Sequence, residues 1–367
     1  MSQKICVYAI CKNELKFVDQ WLENMSEADY IVVLDTGSTD GTFEKLQQDP
    51  RVIRVEQEII TPWRFDVARN RSMDLIPDDA DILVCTDFDE LFEPGWGQYL
   101  RDNWVPGYHN RCHYKYAWTH TEIGEPRYIF TYDKIHTREM CWKYPVHEIL
   151  TAKNEDYEEN VLNALDTIYL HHWQDADKSR SNYLPLLKLA AEENPDDSHI
   201  WSLLGREYLI AHDFDNAISV FLDTLDKPDI ETSSLGCVLL QTLNLLSVAY
   251  YEIQDYDSAI WYCNTFIRVN NSYREPYLML ARIFMQQEAW TMAEASVLAA
   301  VKYSTYKQNW VESTYSWNSD VPELLADIYI KLNQYDLALN NIKEALGYKP
   351  DNVNLLKLYI YCLEQKQ

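Results

Sequence analysis

The 367-residue sequence contains no apolar run near the roughly 18 residues that span a bilayer, so no membrane-inserted helix is expected. Its start, Met1-Ser2-Gln3-Lys4, passes directly into a short strand-like run and then charged residues. The longer apolar core and small-residue cleavage site of a secretory leader are missing, and a cytoplasmic protein is expected. No C-x-x-C pair occurs among the eight cysteines, Cys6, Cys11, Cys85, Cys112, Cys141, Cys237, Cys263 and Cys362. Several fall inside apolar runs, which argues for buried free thiols over disulfides or zinc. Positive charge is also scarce, with 32 Lys and Arg against 58 Asp and Glu and a net charge of −26. That field repels polyanions and argues against broad binding to nucleic acid or anionic membranes, while a local basic pocket could still hold one diphosphate.

What is present is globular: 47% hydrophobic and 25% charged residues, in a chain too long for one ordinary core. Two domains are expected, over residues 1–195 and 196–367. In the first, Ile5–Ile10, Tyr30–Leu34, Arg51–Val55 and Asp81–Cys85 read as strands, with helices over Glu14–Asn24 and Asp66–Leu75. That βαβα order predicts an α/β domain with a mostly parallel sheet flanked by helices. In such sheets ligands bind beyond the carboxyl ends of the strands, where Lys12-Asn13-Glu14, Asp35 to Asp40 and Asp87 to Glu90 fall.

From about Ser198 the pattern changes to helical pairs. Trp201, Leu204, Gly205, Tyr208, Ala217 and Phe221 fit W-x2-LG-x2-Y…A-x3-F, the spacing of a tetratricopeptide repeat (TPR), followed by Pro228. Weaker copies run through Leu246, Tyr250 and Ala259, through Leu280, Phe284 and Ala293, and through Leu325, Tyr329, Ala338, Ala345 and Pro350. Residues 303–319 read as an insertion and Asp351 to Gln367 as a capping helix. Small residues let paired helices approach while aromatics fill the gaps, so each unit buries its face on the next.

Asp35-Thr36-Gly37-Ser38-Thr39-Asp40-Gly41-Thr42 follows a strand and ends at a helix start. An acidic residue there can accept hydrogen bonds from a nucleobase or ribose; a well-capped loop is the alternative. In Thr86-Asp87-Phe88-Asp89-Glu90, strand alternation would project Asp87 and Asp89 to one side, where they could share Mg²⁺ or Mn²⁺. Such an ion would neutralise a diphosphate leaving group.

Together these segments resemble the family 2 glycosyltransferases, which have a GT-A fold. The resemblance runs through Cys11-Lys12-Asn13-Glu14, the Asp35–Thr42 loop, Phe65-Asp66-Val67-Ala68-Arg69-Asn70 and Asp87-Phe88-Asp89-Glu90, and more loosely through Val146-His147-Glu148 and His171-His172. It implies that Asp35 bonds the base, with Asp66 and Arg69 beside it. Asp89 would bind Mn²⁺ or Mg²⁺, Asp87 would bind the ribose or the metal's waters, and His172 (with His171 as the alternative) would complete the metal sphere. Family 2 enzymes are inverting and need a base; Glu148 is the candidate, a structural role in a hairpin being the alternative. Lys178 and Arg180 would contact the diphosphate or form a helix-surface ion pair. Of Trp63, Trp118, Trp142 and Trp173, one or two could face a sugar.

The expected activity is transfer of a hexose or N-acetylhexosamine from a UDP-sugar to a peptide or protein acceptor held by the TPR groove. A polysaccharide precursor or a modified nucleic-acid base is the alternative acceptor. A non-catalytic TPR scaffold with a vestigial sugar-nucleotide domain is the competing class. Self-association through the TPR half is a further reading of the repeats.

Overall fold

The structure is a computed structural model that describes residues 3–120, 124, 126–154, 156–174, 183–233, 237–304 and 314–366. The chain divides into two compact units, Met1–Ala190 and Ala191–Gln367.

The first unit is built on β1 (Ile5–Cys11), whose seven residues are all buried. A strand covered on both faces needs such an unbroken apolar run. It lies between β2 (Tyr30–Asp35) and β4 (Ile82–Cys85) and is parallel to both, and β3 (Val52–Gln57) adds in parallel to β2. Beyond β4 the sheet continues through β7 (Pro126–His136), β6 (Arg111–His120), β11 (Tyr169–His172) and β5 (Glu90–Phe92), with β10 (Val161–Asn163) on β6. The sheet is therefore mixed, where a mostly parallel one was expected. β6 and β7 are antiparallel and five residues separate them, too few for the crossover that parallel neighbours require. β8 (Met140–Lys143) and β9 (Ile149–Ala152) form a separate two-stranded ribbon.

Alternate residues of β1 enter different cores, as strand periodicity dictates. Ile5, Val7 and Ala9 pack with Trp21 and Leu22 of α1 (Val18–Asn24), Leu46 of α2 (Thr42–Gln48) and Trp96 and Leu100 of α4 (Trp96–Asn103). Cys6, Tyr8 and Ile10 pack with Ala68 and Met73 of α3 (Phe65–Met73) and Trp142 of β8. The helix expected from Glu14 begins only at Val18, because the Glu14 and Leu15 amides donate to Thr42 Oγ1 and Asp40 Oδ2 instead. All eight cysteines are free; Cys141 is half-buried, Cys237 is exposed and the others are buried.

After α5 (Tyr183–Glu193), the second unit is all-helical among its described residues. Helices pair as α6 (Ser198–Ile210) with α7 (Phe214–Leu225), α8 (Val238–Glu252) with α9 (Tyr256–Val269), and α10 (Glu275–Gln286) with α11 (Trp290–Tyr303). The short α12 (Thr314–Trp317) precedes a fourth pair, α13 (Asp320–Lys331) with α14 (Tyr335–Tyr348), and α15 (Val353–Gln365) packs on α14. Gly205 explains the small-residue position of the first repeat, since a Cβ there would lie 2.4 Å from Phe221 Cε1. Each pair turns through one non-glycine residue in the left-handed region: His212, Gln254, Glu288 and Asn333. The next amide closes each turn onto an aromatic's carbonyl five residues back, that of Tyr208, Tyr250, Phe284 or Tyr329.

Candidate active site

The parallel strands β1, β2 and β4 end at one edge of the sheet, and the loops that leave them are tied together there. Asn13 Oδ1 accepts from the Thr39 amide, Ser38 Oγ accepts from the Asn13 amide, and Asp40 accepts from Leu15 and Thr42. Asp35 is fully buried. Its Oδ1 accepts from the Gly37 and Ser38 amides and Gln57 Nε2, and its Oδ2 faces Cys11 Sγ. Burial opposes its charge, but these donors outweigh burial and hold its carboxyl below the usual range. These bonds make Asp35 the anchor of its loop. Asp66 is likewise committed locally, accepting from Arg64 at 3.0 and 2.9 Å and from the Val67 amide at the start of α3.

Arg69, on α3, is the hub of the edge. Its Nε donates to Glu148 Oε1 at 2.6 Å and its Nη2 to Asp87 at 3.0 and 3.2 Å, while Nη1 meets Cys85 Sγ. The guanidinium also lies over the Trp142 ring, 5.2 Å from its centroid. Burial opposes its charge, but Asp87 foremost, then Cys85 and Glu148, outweigh burial and raise its pKa above the ordinary arginine value. Lys134, a lysine inside central strand β7, stands 3.5 Å from both Asp87 Oδ2 and Glu90 Oε1. Glu90 is buried, accepts from the Asp87 amide and the Tyr116 hydroxyl, and has its pKa raised by burial and by Asp87 beside it.

The two aspartates of D-x-D do not face the same way. Thr86 to Asp89 leave the strand in a turn closed by the Glu90 amide on Asp87 O, so strand alternation does not apply. Phe88 is driven into the core, stacked on Trp21 at 4.2 Å. Asp87 turns to Arg69 and Lys134, whereas Asp89 Oδ2 stands 3.5 Å from His172 Nε2. The two carboxylates are thus engaged by different partners, and among the described residues no group of three or more His, Cys, Asp or Glu is gathered that could hold a metal ion.

The two neighbouring histidines are told apart by the alternation of β11. His172 Nδ1 pairs with the Trp118 carbonyl at 3.2 Å, which directs Nε2 at Asp89 Oδ2, 3.5 Å away. Burial would lower the His172 pKa, but Asp89, then Glu90 and Asp87, raise it. His171 turns to His120 and Glu93 instead. Lys178 and Arg180 lie outside the described residues. Sequence reasoning missed the roles of Lys134, Tyr116 and the Trp118 carbonyl. The one available signal was a lysine at a core position of Tyr132-Asp133-Lys134-Ile135-His136. A cleft of about 500 Å³ lies near the start of β4, lined by Tyr108, His109, Arg138 and Tyr157 among others, and holds none of the residues expected to act.

Comparison with known proteins bears on the second unit. Residues 323–352 match the tetratricopeptide repeat family. Among solved structures, a thermophilic TPR protein of Thermus thermophilus aligns at 21% identity over 50% of this chain and 90% of its own, with a TM-score of 0.38. MamA aligns at 18% identity over 46% and 82%, with a TM-score of 0.37. A tetratricopeptide repeat protein of Parabacteroides merdae aligns at 13% over 51% and 66%, with a TM-score of 0.39. At such scores the alignments carry no argument about function. A search of curated proteins finds no match. The α13–α14 pair and the start of the following turn thus carry a tetratricopeptide repeat.

Proposed function

We propose that the chain is an inverting, metal-dependent glycosyltransferase that moves a hexose or N-acetylhexosamine from a UDP-sugar to a peptide or protein side chain recruited by the helical repeats. The observation that supports it best is the Asp89–His172 pair at the carboxyl edge of the parallel strands, with His172 Nδ1 tied to a carbonyl. A carboxylate and an imidazole make a mixed oxygen and nitrogen donor set, which suits Mn²⁺ better than Mg²⁺. Bound there, the ion would supply positive charge to the departing diphosphate.

The chain's own groups have separable tasks. Asp87, fixed by Arg69 and Lys134, is oriented for the ribose hydroxyls. Glu148 is positioned through Oε1 by Arg69, and Oε2 is the atom that takes the acceptor's proton as its oxygen attacks the anomeric carbon and the bond to diphosphate breaks. The Asp35 loop shapes the floor against which a base would lie.

Calorimetric titration of the full chain with UDP, with and without Mn²⁺, tests this reading. Micromolar, Mn²⁺-dependent binding that Asp89→Ala abolishes is the expected result. Glu148→Gln should keep that binding while lowering turnover at least roughly a hundredfold. The repeat match at 323–352 favours a second reading, a TPR scaffold with a non-catalytic first unit. Absence of nucleotide binding under every condition would select it.

A further inference from the structure

Helix α15 has two apolar faces, and among the described residues only one is covered. Leu355 and Cys362 are buried against the neighbouring pair, with Leu358 and Tyr359 half-buried beside them. On the other side, Val353, Leu356, Ile360 and Leu363 are 60%, 43%, 56% and 43% exposed. Their spacing of three, four and three residues is that of a coiled-coil seam. An apolar stripe of this kind on a helix is normally buried against a neighbour.

We propose that this seam is the interface of a homodimer, formed by α15 of two copies packed antiparallel. The stripe reads alike from either end: antiparallel pairing sets Val353 opposite Leu363 and Leu356 opposite Ile360, the self-complementarity that a two-fold interface requires. Charge favours a second copy at this place. The chain carries −26 overall, but from Tyr335 to Gln367 four lysines (Lys343, Lys349, Lys357, Lys366) balance Asp336, Glu344, Asp351 and Glu364. Two strongly acidic molecules meet with least repulsion where each is locally neutral.

The area is adequate. The four side chains of the stripe present roughly 350 Å² of surface per copy, and with a polar rim of about a third the pair would bury roughly 1,050 Å², at the lower end for specific interfaces. This inference is independent of the enzymatic reading.

Sedimentation equilibrium of the full chain from roughly 1 to 100 µM tests it, the range in which such an interface would dissociate. The expected result is a monomer–dimer equilibrium that Ile360→Lys, and separately Leu363→Lys, shifts at least roughly a hundredfold toward monomer with helical circular dichroism retained. Trp261→Lys, at an equally exposed apolar site on α9, should leave the equilibrium unchanged. A wild-type monomer at the highest concentration, or a dimer that tolerates both α15 substitutions or is lost in the Trp261 variant, overturns the proposal.

Discussion

Replacing Arg69 with methionine keeps an unbranched side chain of similar length over Trp142 but removes the charge that joins two carboxylates. The Arg69 side chain is 4% exposed, Glu148 12% and Asp87 32%. Glu148 would be left nearly buried without its cation, while Asp87 would keep Lys134 at 3.5 Å and its contact with water. Breaking a buried pair from one side costs roughly 3–5 kcal/mol, and the retained Lys134 and solvent place this case near the lower figure, about 3 kcal/mol. Adding Glu148→Gln removes the stranded charge and should restore about 1–2 kcal/mol, a coupling that a double-mutant cycle reads directly. Because the chain has two units, a global melt would mix transitions. Hydrogen exchange at the Tyr8 and Val84 amides, inside the parallel strands, reports on the first unit alone. A single variant that loses less than about 1 kcal/mol, or a double variant whose losses simply add, would refute the hub role of Arg69.

Two further tests address each unit. His136 is held neutral, with burial pushing its pKa down to about 3. Its Nδ1 donates to the Thr137 carbonyl, and its Nε2 accepts from Tyr8, whose hydroxyl accepts from Trp142 Nε1. The unfolded chain binds a proton here below about pH 6.5 and the folded one does not, so stability from this group should fall as pH drops from about 6.5 toward 3, by about 4 kcal/mol at the lower end. Exchange of the β1 and β7 amides across that range checks it, and a flat profile would place the charge elsewhere. In the second unit, Gly205→Ala must displace the Phe221 ring and should cost about 1–3 kcal/mol of repeat stability, measured as urea sensitivity of the α6 and α7 amides.

Much of the architecture was legible because it follows from period and spacing. The unbroken run of β1, the aromatic and small positions of the repeats, and the acidic strand ends each declare their environment along the chain. The mixed character of the sheet was not legible in that way, since it depends on β7 returning beside β4 after a short connection. The site was readable only as a list of residue types. Whether Asp87 meets Asp89 or Arg69 is decided by a turn that buries Phe88, and alternation within a strand cannot foresee where the strand stops. His171 and His172 differ only by which side of β11 they occupy, a distinction set by the register with β6.

The four left-handed turn residues of the repeats have a consequence for how this unit could change over time. A side chain in that region costs roughly 1 kcal/mol relative to glycine. His212, Gln254, Glu288 and Asn333 each hold such an amount in reserve at an equivalent joint. Adjacent pairs mainly contact one another along the array. Glycine at any one joint would therefore release its share locally, and the four together would form a graded scale on which the rigidity of the array can be set one joint at a time without altering the surfaces between them.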